Sequence, residues 1–321
     1  RPGSFAPPAG REACGENLHS QIGEYIDIQI REEAWKHTDE ATGKLRAMSL
    51  GSVKVYVGQF TRTRRDFGGK STTRKSSVVS MVPIRMDGWD VAETGVTQVD
   101  TVAHCGMANV DDYTVTTNAT DVATLWGSRR AQWCKGQEAT LSSLTLMRES
   151  SPFPWTEMHP DSGFEFINLL CIKYAEETYL RMTRSRPYHK NDNCFVEERN
   201  GHVVRAYVGY ERFDVKETVS ALNDLYDVLT PYLNHFIASR RIISKERIGA
   251  RWKVMREKKA MTPYQRVCER KDVSEEVKEK LRREHTTLNP KTMKIKIDQL
   301  TKRVHDIQQR YGKPKKSPKN S

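Results

Sequence analysis

Three acidic residues stand in three different kinds of local sequence, so a fold that gathers them must mix strand, turn and helix. Asp100 lies inside a strand-like run, Val96-Thr-Gln-Val-Asp-Thr-Val-Ala103. Asp161 lies in a turn, His159-Pro-Asp-Ser-Gly163, and Glu197 opens a helix-like run, Cys194-Phe-Val-Glu-Glu-Arg-Asn200. Between Asp161 and Glu197 there are 35 residues. Hard divalent cations take carboxylate oxygens drawn from separate elements onto one open site. Two such ions about 4 Å apart activate water and steady a leaving oxygen on phosphate. Asp100, Asp161 and Glu197 are therefore the candidate catalytic and metal-ligating residues.

The pattern around them predicts a mixed α/β layer order. Runs around 95–104, 111–119 and 123–133 alternate and carry Val, Thr, Tyr and Trp, which predicts three strands. A helix is expected at 136–149, a strand at 155–160, a helix at 164–178 and a strand at 179–185. Helices at 193–208 and 215–238 follow. Upstream, residues 1–25 are rich in Pro and Gly and predict little order. A helix is expected over 28–47, broken at Met48-Ser-Leu-Gly51. A second helix from Ser52 to Arg65 would complete a helix-turn-helix, although Val53-Lys-Val-Tyr-Val57 suits a strand equally. Residues 67–80 read as a basic linker.

Downstream, residues 240–265 read as basic and irregular, with a strand-like piece at 250–255. Ser274 can cap a helix to about 284, and Asn289 followed by Pro290 starts another. Within the latter, Met293, Ile297, Leu300, Val304, Ile307 and Tyr311 form a heptad stripe, suited to packing on its own domain or to a dimer contact. Three regions follow: 1–79 with the candidate helix-turn-helix, a core at 80–238, and a basic, largely helical region at 239–321.

Charge supports a phosphate-gripping role at both ends. The 321 residues carry a net charge of +12, unevenly spread. Residues 231–321 hold 26 Lys/Arg against 10 Asp/Glu, and residues 44–75 hold 9 against 1. Residues 76–230 hold 14 against 22. Basic flanks around an acidic centre suit a protein that holds nucleic acid at its ends and cations in its middle. No run approaches the roughly 20 apolar residues of a membrane span, and the first residues lack an apolar signal core. The missing initiator Met marks the chain as trimmed. Six scattered cysteines with no CxxC spacing read as reduced thiols of a cytoplasmic protein.

Several segments together carry a family resemblance: Val99-Asp-Thr-Val-Ala-His-Cys-Gly106, Asp161-Ser-Gly-Phe-Glu-Phe-Ile-Asn168, Thr183-Arg-Ser-Arg-Pro-Tyr-His-Lys-Asn-Asp-Asn193, Val196-Glu-Glu-Arg-Asn200 and Met261-Thr-Pro-Tyr-Gln-Arg266. From about 80 to 300 the chain resembles integrase-core transposases of bacterial insertion sequences, which have a retroviral-integrase-like DDE catalytic core. The resemblance implies a ribonuclease-H-like mixed sheet flanked by helices, with Asp100 on the first strand, Asp161 after the fourth and Glu197 on a helix. It implies two Mg2+ (or Mn2+) ions, double-stranded DNA as element ends and target, a homo-oligomer on DNA, and a nucleoid location in bacteria.

Two positions depart from the family pattern. Ser162 stands where Asn is usual, and Glu198 where Gln often follows the Glu. Adjacent helical residues point about 100° apart, so one of the two glutamates faces the site, and the spacing selects Glu197. Asp111 and Asp112 read as hairpin-turn residues. His104 and His159 read as structural, and Cys194 as packing. Arg186 and Lys190 are placed to meet phosphate and Tyr188 to stack on a base, with Asn200, one turn beyond Glu197, as a further DNA-binding candidate. A catalytically inactive DNA-binding derivative and a nuclease that cleaves without joining are the alternatives.

Overall fold

The β-branched run Val96–Ala103 (β1) is the central strand of a five-stranded sheet. Thr114–Asp121 (β2) pairs with it antiparallel, and Gly127–Trp133 (β3) pairs antiparallel with β2. On the other side Glu157–Pro160 (β4) and Arg181–Met182 (β5) run parallel. The resulting order, 3-2-1-4-5 with an antiparallel meander followed by parallel strands, is the expected ribonuclease-H-like mixed sheet. This computed structural model describes residues 15–61, 78–86, 88–89, 93–106, 110–186, 192–248 and 251–312.

The chain enters through four helices, Gly15–His19 (α1), Ile22–Arg31 (α2), Asp39–Arg46 (α3) and Leu50–Thr61 (α4). Residues 15–25, part of the stretch expected to lack order, are thus largely helical. The single helix expected over 28–47 is two: Glu33 takes a φ of 51°, and the Thr38 side chain caps α3 by accepting from the Ala41 N–H. The ambiguous Val53–Val57 run is helical, because Val53 is buried against Ile22 and Ile26 of α2. Burial of that face overrides β-propensity. The expected linker lies for the most part outside the described residues.

Helices cover both faces of the sheet. Gln137–Glu149 (α5) and Leu169–Glu177 (α6) pack Leu144, Met147 and Cys171 against Val99, Ala119 and Met158. The expected helix at 164–178 starts late, since the Asn168 side chain accepts from the Cys171 N–H and fixes the N-terminus of α6 there. Next come Cys194–Arg199 (α7), a π-helical stretch at Asn200–Arg205, Ala206–Val208 (α8) and the long Glu217–Phe236 (α9). β2 is Thr-rich yet wholly buried, and three of its four threonine hydroxyls find partners: Thr114 Oγ1 with Thr218 at 2.7 Å, Thr116 Oγ1 with Tyr226 at 2.7 Å and Thr117 Oγ1 with Gln132 at 2.8 Å.

The open edge of β3 is closed by side-chain amides. Asn223 of α9 accepts from the Ala131 N–H and donates to its carbonyl, at 2.8 and 3.0 Å. Three turns on, Asn234 does the same to Gly127, at 3.0 and 2.9 Å. Each asparagine takes the place of a strand residue on an edge that would otherwise offer unpaired N–H and C=O groups.

The stretch expected to be irregular at 240–265 forms a hairpin, Ile242–Ile248 (β6) with Arg251–Arg256 (β7), followed by Pro263–Glu269 (α10). Thr262 and Gln265 form a reciprocal capping box there, with Pro263 in the first turn, a start signal legible in the sequence. Glu275–Thr287 (α11) and Pro290–Tyr311 (α12) begin where Ser274 and Asn289 were expected to cap them. The middle of the heptad stripe of α12 packs within the chain, Ile297, Leu300 and Val304 being buried with Leu222, Leu225 and Leu229 of α9, while Tyr311 at its end is exposed. Among the described residues no helix is long and apolar enough to cross a membrane, and the five described cysteines are free. The basic tail from 313 lies outside the described residues.

Candidate active site

Side chains alternate across a strand, and β1 uses the alternation to separate core from chemistry. Val99 points into the layer with α5 and α6, while Gln98 and Asp100 face α7. Gln98 is fully buried, and its Oε1 accepts from the backbone N–H groups of Phe195 (2.9 Å) and Val196 (3.3 Å). Its Nε2 donates to the Asp192 carbonyl at 3.0 Å. One strand side chain therefore caps the first turn of α7 and fixes where Glu197 stands.

Asp100 is held from two sides. Its Oδ1 accepts from the Thr101 N–H at 2.7 Å and its Oδ2 from the Asn200 side-chain amide at 2.6 Å. Asn200 is itself oriented by Asn118, the residue opposite Asp100 on β2, which donates to Asn200 Oδ1 at 2.9 Å. The π-helical stretch starts at Asn200, directly after the turn that bears Glu197. Such widened turns recur at functional sites.

Asp161 follows β4 immediately, and its Oδ1 accepts from the Gly163 N–H at 2.8 Å. Gly163 then begins a tight turn in which the Phe166 and Ile167 N–H groups both donate to its carbonyl. Four residues after Asp161, Glu165 is 2% exposed, and its Oε1 accepts from Lys135 Nζ at 2.7 Å and from Thr101 Oγ1 at 3.0 Å.

The acids act on one another. Burial above all, then the charge of Asp161 and, less, that of Glu197 raise the Asp100 carboxyl to about 8, against the Thr101 N–H and the charge of Lys135. A carboxyl so placed is short of positive charge. Oxygen-only donors under mutual repulsion suit a hard divalent cation, and in that chemical sense the residues fit one. In the arrangement described, however, no three His, Cys, Asp or Glu side chains among the described residues converge closely enough to hold a metal ion. Uncompensated carboxylates repel, and Asp100 is engaged by Asn200 instead.

The other expected residues fall as follows. Arg186 forms a two-point ion pair with Asp192, at 2.9 and 2.8 Å, which also accepts from its backbone N–H. Tyr188 and Lys190 lie outside the described residues. His104 is buried and bonded to Thr116 Oγ1 at 2.8 Å, and His159 to Thr183 and Ser185 at 2.8 and 3.1 Å. Burial lowers the two imidazoles to about 3 and about 4. Burial raises the Cys194 thiol to about 11. Asp111 sits in the β1–β2 connection with a φ of 59°. Sequence reasoning missed Gln98, Asn118, Lys135 and Glu165. Period two from Asp100 would have flagged Gln98; the other three become neighbours only through pairing across the sheet and the Asp161 turn.

The ribonuclease-H-like mixed sheet flanked by helices defines the class of this chain at the level of fold; Asp100 lies on its central strand, Asp161 just after β4 and Glu197 on α7, beyond β5. The chain belongs to the same family as the uncharacterized protein y4rM of Sinorhizobium fredii, to which it is 36% identical over 244 residues, 76% of this chain and 70% of that protein. No family model matches it. Among solved structures it is similar to a simian T-cell lymphotropic virus intasome bound to the PP2A regulatory subunit B56 gamma. That likeness has 12% identity and a TM-score of 0.36, over 68% of this chain and 70% of that one. It is also similar to the catalytic core domain of BIV integrase, with 13% identity and a TM-score of 0.35, over 54% of this chain and 93% of that one.

Proposed function

We propose that this chain is a metal-dependent polynucleotidyl transferase, the transposase of a bacterial mobile element, acting on DNA in the cytoplasm at the nucleoid. The observation that carries the reading is the electrostatic meeting of Asp100, Asp161 and Glu197, drawn from a strand, a turn and a helix. In this reading the three carboxylates hold Mg2+ or Mn2+, two ions by the family resemblance. When bound, the metal lowers the pKa of water and offsets charge that develops on phosphate.

The chain's own residues position the rest. Gln98 fixes the helix that bears Glu197, Asn200 and Asn118 orient Asp100, and the Gly163 N–H orients Asp161. Water opens a phosphodiester at the element end, and the freed 3′-hydroxyl attacks target DNA in line. No protein nucleophile takes part; the Cys194 thiol, raised by burial, stays protonated at neutral pH. The division into regions 1–79, 80–238 and 239–321 belongs to the same proposal, with the basic outer regions gripping double-stranded DNA as a homo-oligomer. Arg186, Tyr188 and Lys190 serve as backbone or base contacts. Asn200, held at Asp100, acts there from the acid side.

The test is strand transfer of a labelled 3′-hydroxyl element end into plasmid with Mg2+ or Mn2+, comparing wild type with Glu197→Gln. The cognate end is first taken from the DNA flanking the gene. Joined product that disappears in the variant, with DNA binding kept, is the expected result. A second reading, an inactive DNA-binding derivative, is favoured by the incomplete convergence of the acids. Tight, salt-sensitive binding with no product from wild type on its cognate end selects it. Cleavage without joining selects a nuclease.

A further inference from the structure

Glu165 is an enclosed carboxylate beside the acid site. Its Oε2 is buried and has no hydrogen-bond partner among the described residues, while its Oε1 accepts from Lys135 and Thr101. These residues come from three places: the Asp161 turn, the approach to α5 and the second half of β1. The Lys135 side chain is 11% exposed and that of Glu165 2%. Enclosing an ion pair costs several kcal/mol per ion, and apolar residues of similar volume often serve stability as well or better. Stability alone is therefore a poor reason for this pair, and its surroundings supply a better one.

Thr101 is the neighbour of Asp100 and donates its N–H to it. Among the charges that bear most on Asp100, Asp161 and Glu197 oppose its ionised form, whereas Lys135 favours it. Glu165 and Asp161 also share one boundary. A Cβ on Gly163 would lie 2.6 Å from Glu165 Oε2 and 2.8 Å from Asp161 Oδ1, so the two carboxylates flank a single Cα. The ammonium is thus held by one acid within reach of the others.

The geometry points to Lys135 and Glu165 as a positioning pair for the acid site. Glu165 anchors the Lys135 ammonium beside Asp100, where it acts as a resident cation that restrains the carboxylates until a divalent ion joins them. The inference rests on the reading of Asp100, Asp161 and Glu197 as metal ligands. A single tethered charge offsets only part of the repulsion among three carboxylates, which leaves the demand for a divalent ion in place. Removal of the ammonium shifts the whole demand onto the metal.

The experiment is thermal unfolding of the full chain with and without saturating Mn2+, with Mn2+ binding followed by titration calorimetry. In Lys135→Met, unfolding without metal is expected at lower temperature than in wild type, and the rise caused by Mn2+ at least twofold larger. Lys135→Arg keeps the charge and is expected to restore the wild-type Mn2+ response. If Lys135→Met does not fold, Lys135→Met/Glu165→Met replaces the pair by apolar residues and carries the same comparison. Unfolding temperatures lowered equally with and without Mn2+ would make this an ordinary structural ion pair and overturn the proposal. A wild-type protein that neither binds Mn2+ nor is stabilised by it overturns the metal reading, and the positioning role with it. That failure shows in the wild type alone and is therefore distinct from the first.

Discussion

A Cβ on Gly163 would press on the carboxylates of Asp161 and Glu165, at 2.8 and 2.6 Å, and one of them would have to move. Gly163→Ala is therefore expected to push Asp161 aside, costing about 1–3 kcal/mol as overpacking does and reducing strand joining at least tenfold. Chemical denaturation and the joining assay check the two effects separately. Asn200 gives a second residue-scale test. Asn200→Ala removes a hydrogen bond to Asp100, a loss of about 0.5–1.5 kcal/mol, and frees Asp100 to turn. Joining is expected to fall with DNA affinity unchanged; a loss of DNA affinity instead would return Asn200 to a contact role. The three acids proposed as ligands could be singled out from the sequence because each stands in its own kind of local sequence. The residues that orient them were less so. Gln98 shares the face of Asp100 and could have been read from alternation, but Lys135 and Glu165 sit 30 positions apart, a distance that only the fold removes.

At the scale of elements, the amide closure of β3 makes a quantitative claim. Asn223→Ala and Asn234→Ala each strip two hydrogen bonds from the strand edge. Each is expected to cost about 1–3 kcal/mol, since a buried backbone group is left unsatisfied, and urea unfolding would measure it. Loss of less than about 0.5 kcal/mol would mean that water takes over the edge. Strand order and the long helices were legible, because alternation in β1 and cap signals at Ser274 and Asn289 are local facts. Val53–Val57 was not, since packing against α2 decided it. Of the hairpin at 242–256, β7 falls on the strand-like piece expected at 250–255, whereas β6 lay hidden among basic residues.

Across the whole molecule, three buried histidines weigh against acid, while the carboxyls of Asp100 and Asp121, raised by burial to about 8 and about 6, weigh the other way. Burial lowers His104 to about 3, His159 to about 4 and His235 to about 3, the last aided by the neighbouring His285. Unfolded, each would titrate near 6.5. The unfolded chain therefore binds more protons below that value, so their contribution is complete above about pH 6.5 and is lost as pH falls toward 4. At pH 5 the loss is roughly 1–2 kcal/mol per histidine. Urea unfolding at pH 7.5 and pH 5 is expected to show that acid costs His235→Phe less stability than wild type; an equal effect of acid on both would refute it. The amide closure of β3 also sets a clock during synthesis. The strand is complete at Trp133, but Asn223 and Asn234 are translated some 90 to 100 residues later. At roughly 5–20 residues per second the nascent sheet spends on the order of 5–20 s with a bare edge. Premature termination anywhere in that interval would release a chain whose sheet still invites a foreign strand.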